Sequence, residues 1–464
     1  MRFCTMTLGC KVNQYETQAI ESILCERGFE LFDPGEGCNV CIINTCTVTA
    51  EGDRKSRQVI RRMKKLEPEA LIAVCGCFSQ MEPEFVEKLG VDLISGTKDR
   101  LRFVSKVEEL ASKPRHPKQP RLPELTKDLD TFIEPLNQPL TFEELPPGST
   151  ATRTRALLKI QDGCDNYCTY CIVPYARGRS RSLPLSRIAE YAKQLEERGY
   201  KEIVITGIEI SSYGKDFESK KQSSSKPSNE KSNPYNEALH LPSQQLPAAI
   251  HTIANSAPNT RLRLGSLDPA ILTEEFCIEL SKINNLCNHF HLSLQSGCDK
   301  TLKRMGRKYS TNQVMQYMTT LRASFKNCGI TADLITGFPG ETDSEFEQTL
   351  AFIEKASFSS MHIFPYSSRP GTKAASFPNQ IEKSIKKERA RRATAIANSK
   401  TKDFKKAQIG KTVKVLFEQK KNGFNIGHSE NYIEIHVKDK VDKNSIHNVK
   451  IIAIKNDKLI GEVV

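Results

Sequence analysis

Three cysteines within eight residues, Cys164, Cys168 and Cys171, are the side chains of this 464-residue chain best suited to chemistry. Their spacing is C-x3-C-x2-C, so one loop supplies three thiolates. Iron–sulfur clusters are held by cysteine thiolates, usually four. Three ligands would leave one iron of a cubane cluster open, as catalytic metal sites keep a position vacant. A zinc site completed by a remote histidine, or cysteines buried for packing, are the alternatives that the spacing leaves open.

A second set of three cysteines, Cys10, Cys46 and Cys77, lies further towards the amino terminus, each just after a predicted strand. The region alternates strand-like and helix-like patterns, which predicts a parallel sheet covered by helices. Ligands of open α/β sheets gather at the carboxyl ends of the strands. We therefore expect a second three-thiolate cluster there. The predicted strands are Arg2–Leu8, Phe29–Phe32, Val40–Asn44, Leu71–Val74 and Leu93–Ser95.

Further cysteines lie near this second set and have weaker interpretations. Cys38 and Cys41 form a C-x2-C pair, and Cys75 lies two residues before Cys77. A single C-x2-C pair is a weak redox or zinc signal when no second pair stands at finger-like spacing. Ordinary packing is the favoured interpretation of these cysteines.

The Cys164 loop follows the first of six further predicted strands. Six strands that alternate with helical stretches are too few for a closed eight-stranded barrel and predict a partial (β/α)6 barrel. Barrel active sites lie at the carboxyl ends of strands, which agrees with the position of the loop. The predicted strands are Ala156–Gln161, Glu202–Thr206, Arg261–Leu264, His289–Leu294, Thr331–Ile335 and Ser360–Phe364.

The carboxy-terminal region is basic and changes period. From Ile381 to Val464 there are 20 Lys and Arg against 10 Asp and Glu, which accounts for +10 of the net charge of +13. Such a charge favours a polyanionic partner, most simply nucleic acid. An amphipathic helix begins this region, with a predicted apolar stripe of Ile381, Ile385, Ala393 and Ile396 and predicted exposed cations Lys386, Lys387, Arg389, Arg391 and Arg392. Short alternating strands after it predict a small antiparallel barrel.

These patterns predict an α/β fold class. The expected division is an amino-terminal parallel α/β sheet domain at 1–110, a linker at 111–149, the central partial (β/α)6 barrel at 150–380 with a disordered insertion at 215–241, a basic connecting helix at 381–403 and the small antiparallel, OB-like β-barrel at 404–464.

Composition restricts the environment. The chain is 38% hydrophobic without tryptophan, and no apolar run approaches the ~18 residues of a spanning helix. Its first ten residues predict a β-strand and not a signal peptide. Fifteen cysteines without an export signal indicate reduced thiols. We expect a cytoplasmic protein that does not associate with a membrane.

With these motifs in place, the chain resembles the radical S-adenosylmethionine methylthiotransferases over nearly its whole length. The Cys164 loop is similar to their radical motif, and the last ~60 residues resemble their TRAM RNA-binding module. The matching segments are Gly76-Cys77-Phe78-Ser79-Gln80, Leu292-Ser293-Leu294-Gln295-Ser296-Gly297, Asp333-Leu334-Ile335-Thr336-Gly337-Phe338-Pro339-Gly340-Glu341-Thr342 and Phe364-Pro365-Tyr366-Ser367.

The resemblance implies two 4Fe-4S clusters and S-adenosylmethionine as cofactors. The cluster on Cys164, Cys168 and Cys171 would cleave S-adenosylmethionine, and the cluster on Cys10, Cys46 and Cys77 would handle sulfur. Tyr170 and Gln295 are weaker candidates for the cofactor pocket. The implied partners are a tRNA anticodon loop, an external electron donor and a sulfur donor.

The run Leu8-Gly9-Cys10-Lys11-Val12-Asn13-Gln14-Tyr15-Glu16 is similar to the branch acting on N6-threonylcarbamoyladenosine beside the anticodon. The implied activity is methylthiolation of C2 of that base. Action on isopentenyladenosine or on a ribosomal protein aspartate, a non-catalytic iron–sulfur RNA-binding sensor, and a zinc-binding RNA protein are the alternatives.

Overall fold

The computed structural model describes residues 1–113, 130–136, 138, 140–148, 154–217 and 242–464. The chain forms two compact units. The first combines three segments, Met1–Thr150, Gln161–Leu183 and Ser367–Thr372, and the second combines Ala151–Ile160, Pro184–Tyr366 and Lys373–Val464.

A six-stranded, all-parallel sheet forms the centre of the first unit, with strand order β2-β1-β3-β4-β5-β6. Its two central strands, Val40–Thr45 and Leu71–Gly76, are buried along their whole length, as expected where helices cover both faces. The strands are β1 Arg2–Thr7, β2 Glu30–Leu31, β3 Val40–Thr45, β4 Leu71–Gly76, β5 Leu93–Ser95 and β6 Asp130–Phe132. The helices are α1 Lys11–Glu26, α2 Ala50–Leu66, α3 Cys77–Met81, α4 Pro83–Glu87 and α5 Arg100–Ser112.

The segment 111–149, predicted as a linker, contributes in its described part to this unit. Strand β6 pairs in parallel with β5. Leu145 is buried, and its carbonyl accepts a hydrogen bond from the Tyr15 hydroxyl at 2.6 Å. A three-residue strand has too few positions to show periodicity, which is why the sequence pattern does not reveal it.

The segment 161–183 returns to the first unit. It contains a short antiparallel pair, Gln161–Asp162 with Arg181–Ser182, and helix α6, Val173–Arg177. Helix α6 packs against α3. The loop with Cys164, Cys168 and Cys171 lies between the first strand of the pair and α6.

Parallel strands also form the second unit, in two sheets with strand orders that follow the chain. One segment serves both sheets, because Arg261–Leu264 belongs to the first and Ser266–Leu267 begins the second. The arrangement therefore has six members and stays open, as predicted. The other strands are Arg155–Lys159, Glu202–Thr206, His289–Gln295, Gly329–Thr336 and Ser360–Pro365. The helices are Leu185–Glu197, Pro242–Ser256, Glu274–Ser281, Asp299–Met305, Thr311–Ser324, Asp343–Ala356 and Lys383–Lys406.

A closed five-stranded barrel ends the chain, hereafter the terminal barrel. Four of its strand pairings are antiparallel and one is parallel. Its core consists of Val415, Phe417, Ile435, Val449 and Ile451, among others. The strands are Thr412–Lys421, Phe424–Ser429, Glu434–Val437, Ile446–Lys455 and Lys458–Val463. The predicted fold class, α/β with parallel sheets and a small carboxy-terminal barrel, is confirmed.

Helix Lys383–Lys406, hereafter the basic helix, corrects the predicted placement of two side chains. Arg389 is buried, not exposed, because its guanidinium binds the Glu341 carboxylate at 2.7 Å and the Asp343 carboxylate at 2.7 Å. Ile385, predicted for the apolar stripe, is 43% exposed. A periodicity argument assigns charged side chains to solvent and does not foresee a buried partner for one of them.

Most of the predicted insertion at 215–241 lies outside the described residues. Among the described residues, no helix has the length and apolar character that crossing a membrane requires.

Candidate functional site

Three cysteines lie at the carboxyl ends of three neighbouring strands. Strands β1, β3 and β4 are adjacent and parallel. Cys10 precedes α1 as its N-cap residue, Cys46 directly follows β3, and Cys77 directly follows β4 and begins α3. The first unit thus brings Cys10, Cys46 and Cys77 to one edge of the sheet.

Close contact between two of the loops places these residues together. A Cβ on Gly9, which has a φ of +96°, would lie 2.7 Å from the Cys46 Cβ and 2.8 Å from its Sγ. The glycine is thus required both by its backbone conformation and by the approach of Cys46. Gly52 also faces the Cys46 thiol, at 3.6 Å from a Cβ in its place.

Buried polar side chains fix these loops. The Asn13 side-chain amide donates to the Leu8 carbonyl at 2.8 Å and to the Thr45 carbonyl at 2.9 Å, which joins the loops that carry Cys10 and Cys46. Ser56 in α2 bonds both the N–H and the carbonyl of Cys46. Each loop is held by side-chain bonds that its own backbone cannot supply.

A second set of bonds fixes the chain just after Cys46. The Thr47 hydroxyl donates to the Asp53 carboxylate at 2.7 Å. Arg369, from the segment that rejoins the first unit, binds Asp53 at 2.6 Å and Thr47 at 2.7 Å. Two distant parts of the sequence therefore converge on this loop.

Burial acts on the thiols of the site. It raises the pKa of Cys77 to about 12. Cys10 and Cys46 raise this pKa as well, whereas the positive charge of Arg177 lowers it. Burial also raises the pKa of Cys46, while the Val48 N–H lowers it. Thiols bind iron as thiolates, so loading a metal here must release protons.

The loop with the C-x3-C-x2-C spacing lies in the same unit. Cys164 and Cys168 are buried, and Cys171 is half-buried. The Cys164 N–H donates to the Gly178 carbonyl at 3.0 Å, and the Asn166 N–H points to the Cys164 sulfur at 3.5 Å. N–H groups directed at a ligating sulfur are one means by which a protein tunes a cluster.

A network of buried charges joins the two regions, and sequence reasoning missed it. Arg177, at the end of α6, binds side chains of α1 and the carboxylate of Asp162. Arg100 also binds Glu16, and Arg181 also binds Asp162. All five charged side chains are at most 2% exposed. One signal was present in the sequence: Glu16 lies four residues from Val12 and four from Ile20, so it shares their buried helix face.

The two cysteine sets have the donor chemistry of iron–sulfur sites: three thiols each, held on short loops by glycines and buried hydrogen bonds. Among the residues that the structure describes, no three His, Cys, Asp or Glu side chains surround the position of a single metal ion. The thiolates of a cubane cluster stand further apart than those of one ion. By residue type, each set of three thiols fits an iron–sulfur cluster.

The two weaker candidates lie in different units. Tyr170, half-buried, belongs to the loop of the first unit. Gln295 ends its strand in the second unit with a φ of +69°, next to an irregularity in the pairing with the following strand. A non-glycine residue in this conformation is uncommon, and such residues cluster at functional sites.

A buried carboxylate at the end of strand Glu202–Thr206 is a further residue that the sequence reasoning did not find. Burial and the neighbouring Asp268 raise the pKa of Glu209 to about 7, against the opposing charge of Arg307.

Four of the remaining cysteines of the first unit, Cys4, Cys38, Cys41 and Cys75, are buried in its core, whereas Cys25 is exposed. Cys4 lies in β1, and its thiol contacts the Cys41 sulfur at 3.3 Å. Cys38 and Cys75 are buried as well. These contacts agree with the packing interpretation.

Comparison with known proteins decides the family. A model of the Radical SAM superfamily matches residues 158–353, and the model of uncharacterized protein family UPF0004 matches residues 2–96. The threonylcarbamoyladenosine tRNA methylthiotransferase MtaB of Bacillus subtilis (strain 168) is 36% identical over 454 residues, covering 96% of this chain and 92% of the relative. The chain belongs to the radical S-adenosylmethionine tRNA methylthiotransferases.

Other relatives of this methylthiotransferase differ in their named substrate. The MtaB of Thermotoga maritima is 34% identical, with 92% of this chain and 89% of the relative covered. The tRNA-2-methylthio-N(6)-dimethylallyladenosine synthase of Alkaliphilus oremlandii (strain OhILAs) is 31% identical, with 90% and 82% covered. Among solved structures, the radical S-adenosylmethionine methyltransferase TsrM of Kitasatospora setae has the same fold, with a TM-score of 0.51, 15% identity, and 81% of this chain and 77% of that chain covered.

Proposed function

We propose that this enzyme methylthiolates C2 of N6-threonylcarbamoyladenosine next to the anticodon of tRNA, with S-adenosylmethionine as both methyl donor and radical source. The observation that carries the proposal is the presence of two cysteine triads in one unit, Cys10, Cys46, Cys77 and Cys164, Cys168, Cys171. One triad serves radical formation, and the other offers a separate place for sulfur. The relatives named for threonylcarbamoyladenosine, at 36% and 34% identity, support the choice of base.

The residues have separate tasks in this proposal. Cys164, Cys168 and Cys171 would hold a cluster that, with S-adenosylmethionine bound, would supply the one-electron reduction and the radical chemistry needed to break the C–H bond of the substrate carbon. Cys10, Cys46 and Cys77 would hold a second cluster and the sulfur to be transferred. Asn13 and Ser56 keep the loops of that second site in position. A sulfur donor and an external electron donor are needed, because each product consumes one sulfur and the reduction consumes an electron.

The second unit provides a cationic surface for tRNA. Exposed cations of the basic helix are Lys383, Lys387, Arg391, Arg392, Lys402 and Lys406. The terminal barrel adds exposed lysines at positions 411, 414, 420, 421, 438, 440, 443, 450, 455 and 458. Such a surface binds the phosphate backbone with a steep dependence on salt and little sequence preference. The choice of base then comes from the unstacked anticodon loop.

A cytoplasmic location follows from a tRNA substrate and reduced thiols.

A second candidate is methylthiolation of isopentenyladenosine in tRNA, which the 31% identity to dimethylallyladenosine synthases supports. Nucleoside analysis decides between the two. We would express the chain in a host whose own methylthiotransferases have been deleted, and digest its tRNA for mass spectrometry.

We expect 2-methylthio-N6-threonylcarbamoyladenosine with the wild type, and none with the Cys10, Cys46, Cys77 to Ala variant or the Cys164, Cys168, Cys171 to Ala variant. The same purified proteins, reconstituted without oxygen, should hold about eight irons in the wild type and about four in each variant, as two cubane clusters require. A methylthio group on isopentenyladenosine alone would establish the second candidate. Four irons in the wild type and in the amino-terminal variant would remove the proposed second cluster.

A further inference from the structure

A fully buried arginine connects the two cysteine regions of the first unit. Arg177 ends helix α6, which follows the Cys164 loop by a single residue, and its side chain is 0% exposed. Its Nη1 group donates to Glu16 at 2.8 Å and to Asp162 at 3.1 Å, and its Nη2 group donates to Asn13 at 2.6 Å and to Glu16 at 3.1 Å. These bonds reach α1 on one side and the strand before the Cys164 loop on the other.

Asn13 places this guanidinium beside the amino-terminal cysteines. The Asn13 oxygen that accepts from Arg177 lies 3.9 Å from the Cys10 sulfur. The Asn13 amide meanwhile spans the loops of Cys10 and Cys46. Helix α6 packs against α3, which begins at Cys77, and the Ala176 carbonyl next to Arg177 accepts from Thr97 at 2.8 Å. Arg177 is thus linked through Asn13 to the loops of Cys10 and Cys46, and its helix packs against the helix that begins at Cys77.

Among the fully buried charges around Arg177, guanidiniums outnumber carboxylates. These five charges are three guanidiniums, Arg100, Arg177 and Arg181, and two carboxylates, Glu16 and Asp162, which sum to +1. The half-buried Glu143 carboxylate accepts from the Arg100 N–H and so adds a negative charge beside Arg100. Charges act over longer distances in a buried region, where the effective dielectric constant is far below that of water. The Arg177 Nε is also buried and has no hydrogen-bond partner among the described residues, so the guanidinium retains donor capacity.

Arg177 differs from the other two arginines in what it faces. It donates to Asn13, whose oxygen lies 3.9 Å from the Cys10 sulfur. Arg100 binds Glu16 and backbone carbonyls, and Arg181 binds Asp162 and backbone carbonyls. Arg181 is therefore a matched reference: it is equally buried and in the same network, and among the described residues it has no bond to Asn13.

We propose that Arg177 is a positioning residue that raises the reduction potential of the cluster held by Cys10, Cys46 and Cys77 and ties that site to the Cys164 loop. The inference rests on the proposed function, because it requires the second cluster. Reduction adds a negative charge to a cluster, and a fixed positive charge nearby favours the reduced form. Net charge and hydrogen bonds around a cluster are the levers by which proteins set its potential.

Removing the charge need not unfold the site. In R177Q, Glu16 keeps its bond to Arg100 at 3.0 Å and Asp162 keeps its bond to Arg181 at 3.0 Å. No buried carboxylate loses its last arginine, and the network falls from +1 to neutral. E16Q changes the network in the opposite direction, to +2, while Arg177 retains Asp162.

The test is a redox titration, followed by electron paramagnetic resonance, of the full chain in which Cys164, Cys168 and Cys171 are Ala. Reconstitution with iron and sulfide then loads only the amino-terminal site. We expect R177Q to lower the midpoint so that, at the reference midpoint, the ratio of reduced to oxidised cluster falls from one to about one tenth, which is about 59 mV for one electron. R177K, which keeps the charge, should stay within about threefold, R181Q should change the ratio clearly less than R177Q does, and E16Q should raise it.

The outcomes distinguish a failure of the role of Arg177 from a failure of the proposed second cluster. Equal shifts in R177Q and R181Q, or no shift in R177Q, would overturn the role of Arg177 while the cluster stands. If R177Q does not load iron, E16Q decides: a raised midpoint supports the inference, and an unchanged or lowered one overturns it. A reference chain that binds no iron removes the second cluster, and the inference is then wrong with it.

Discussion

Glu202 is the residue whose removal should disturb the second unit most. It begins a central strand and is completely buried. Its carboxylate binds the Arg261 Nε at 2.5 Å and the Arg263 Nε at 2.8 Å. The same two guanidiniums donate to terminal-barrel carbonyls, Arg261 to His428 and Arg263 to Ser429. One carboxylate therefore balances the charges that attach the terminal barrel to the strands.

The substitution E202Q keeps the volume of this side chain and removes its charge. Two guanidiniums would stay buried without a carboxylate between them. Breaking a buried pair in this way costs about 3–5 kcal/mol. Because the amide keeps one acceptor oxygen, we expect the lower end, about 3 kcal/mol, which is about a 100-fold change in an opening equilibrium.

Hydrogen exchange followed by mass spectrometry measures this locally. Amides of 261–264 and of 426–433 should lose about 100-fold of their protection, whereas amides of the first unit should not change. The control is E279Q, which removes a 44%-exposed carboxylate paired with Lys282, a surface pair worth about 1 kcal/mol or less. Equal protection in E202Q and the wild type would show that this buried pair does not hold the barrel.

The dependence on pH has a definite sign. Burial alone would raise the pKa of the Glu202 carboxyl, but Arg263 and Arg261 hold it well below its usual range. The stabilisation is therefore complete above the ordinary carboxyl pKa of about 4.3 and is lost as pH falls towards the lower folded value. The difference between wild type and E202Q should accordingly shrink in acid.

Two further predictions concern a glycine and a carboxylate. In G76A, a Cβ at a φ of +105° would lie 2.4 Å from the Asn44 Oδ1. We therefore expect the free energy of unfolding measured in urea to fall by about 1–3 kcal/mol, and the Cys77 site to bind less iron. The control G199A, with a φ of +83° and no atom within 4 Å of the added Cβ, should unfold nearer the wild type and keep its iron. Burial and Asp268 raise the pKa of Glu209 to about 7. The free energy of unfolding should therefore fall as pH rises from about 4.3 to 7, by up to about 1.4 kcal/mol per pH unit. The urea midpoints of E209Q should not show this dependence on pH.

The sequence was most informative where a local pattern determines the structure. Cys46 and Cys77 directly follow buried strands, and the register of β1, β3 and β4 places such positions side by side in any parallel sheet. Cys164, Cys168 and Cys171 lie in one loop, so their spacing can be read from the sequence without knowledge of the tertiary structure. Their roles as ligands stay predictions.

The sequence was least informative about buried charges. Arg389 has the spacing of a solvent-facing cation, yet it is buried because Glu341, 48 residues earlier, accepts its hydrogen bonds. Arg177 likewise binds Glu16, which lies 161 residues earlier in the sequence. A single sequence shows the desolvation cost of a charge but not the distant partner that offsets it.

The boundaries of the first unit explain why such partners matter here. The segment Gln161–Leu183, which carries Cys164, Cys168 and Cys171, belongs to the same compact unit as the amino-terminal sheet. Buried ion pairs help to hold it there: Arg177 of this segment binds Glu16 in α1 and Asp162 in the short strand before the Cys164 loop. Buried ion pairs contribute little net stability compared with apolar packing, but they are specific in geometry, since removal of one partner is costly. Such contacts fix the position of the loop relative to Cys10, Cys46 and Cys77, as the proposed use of both sites on one substrate would require.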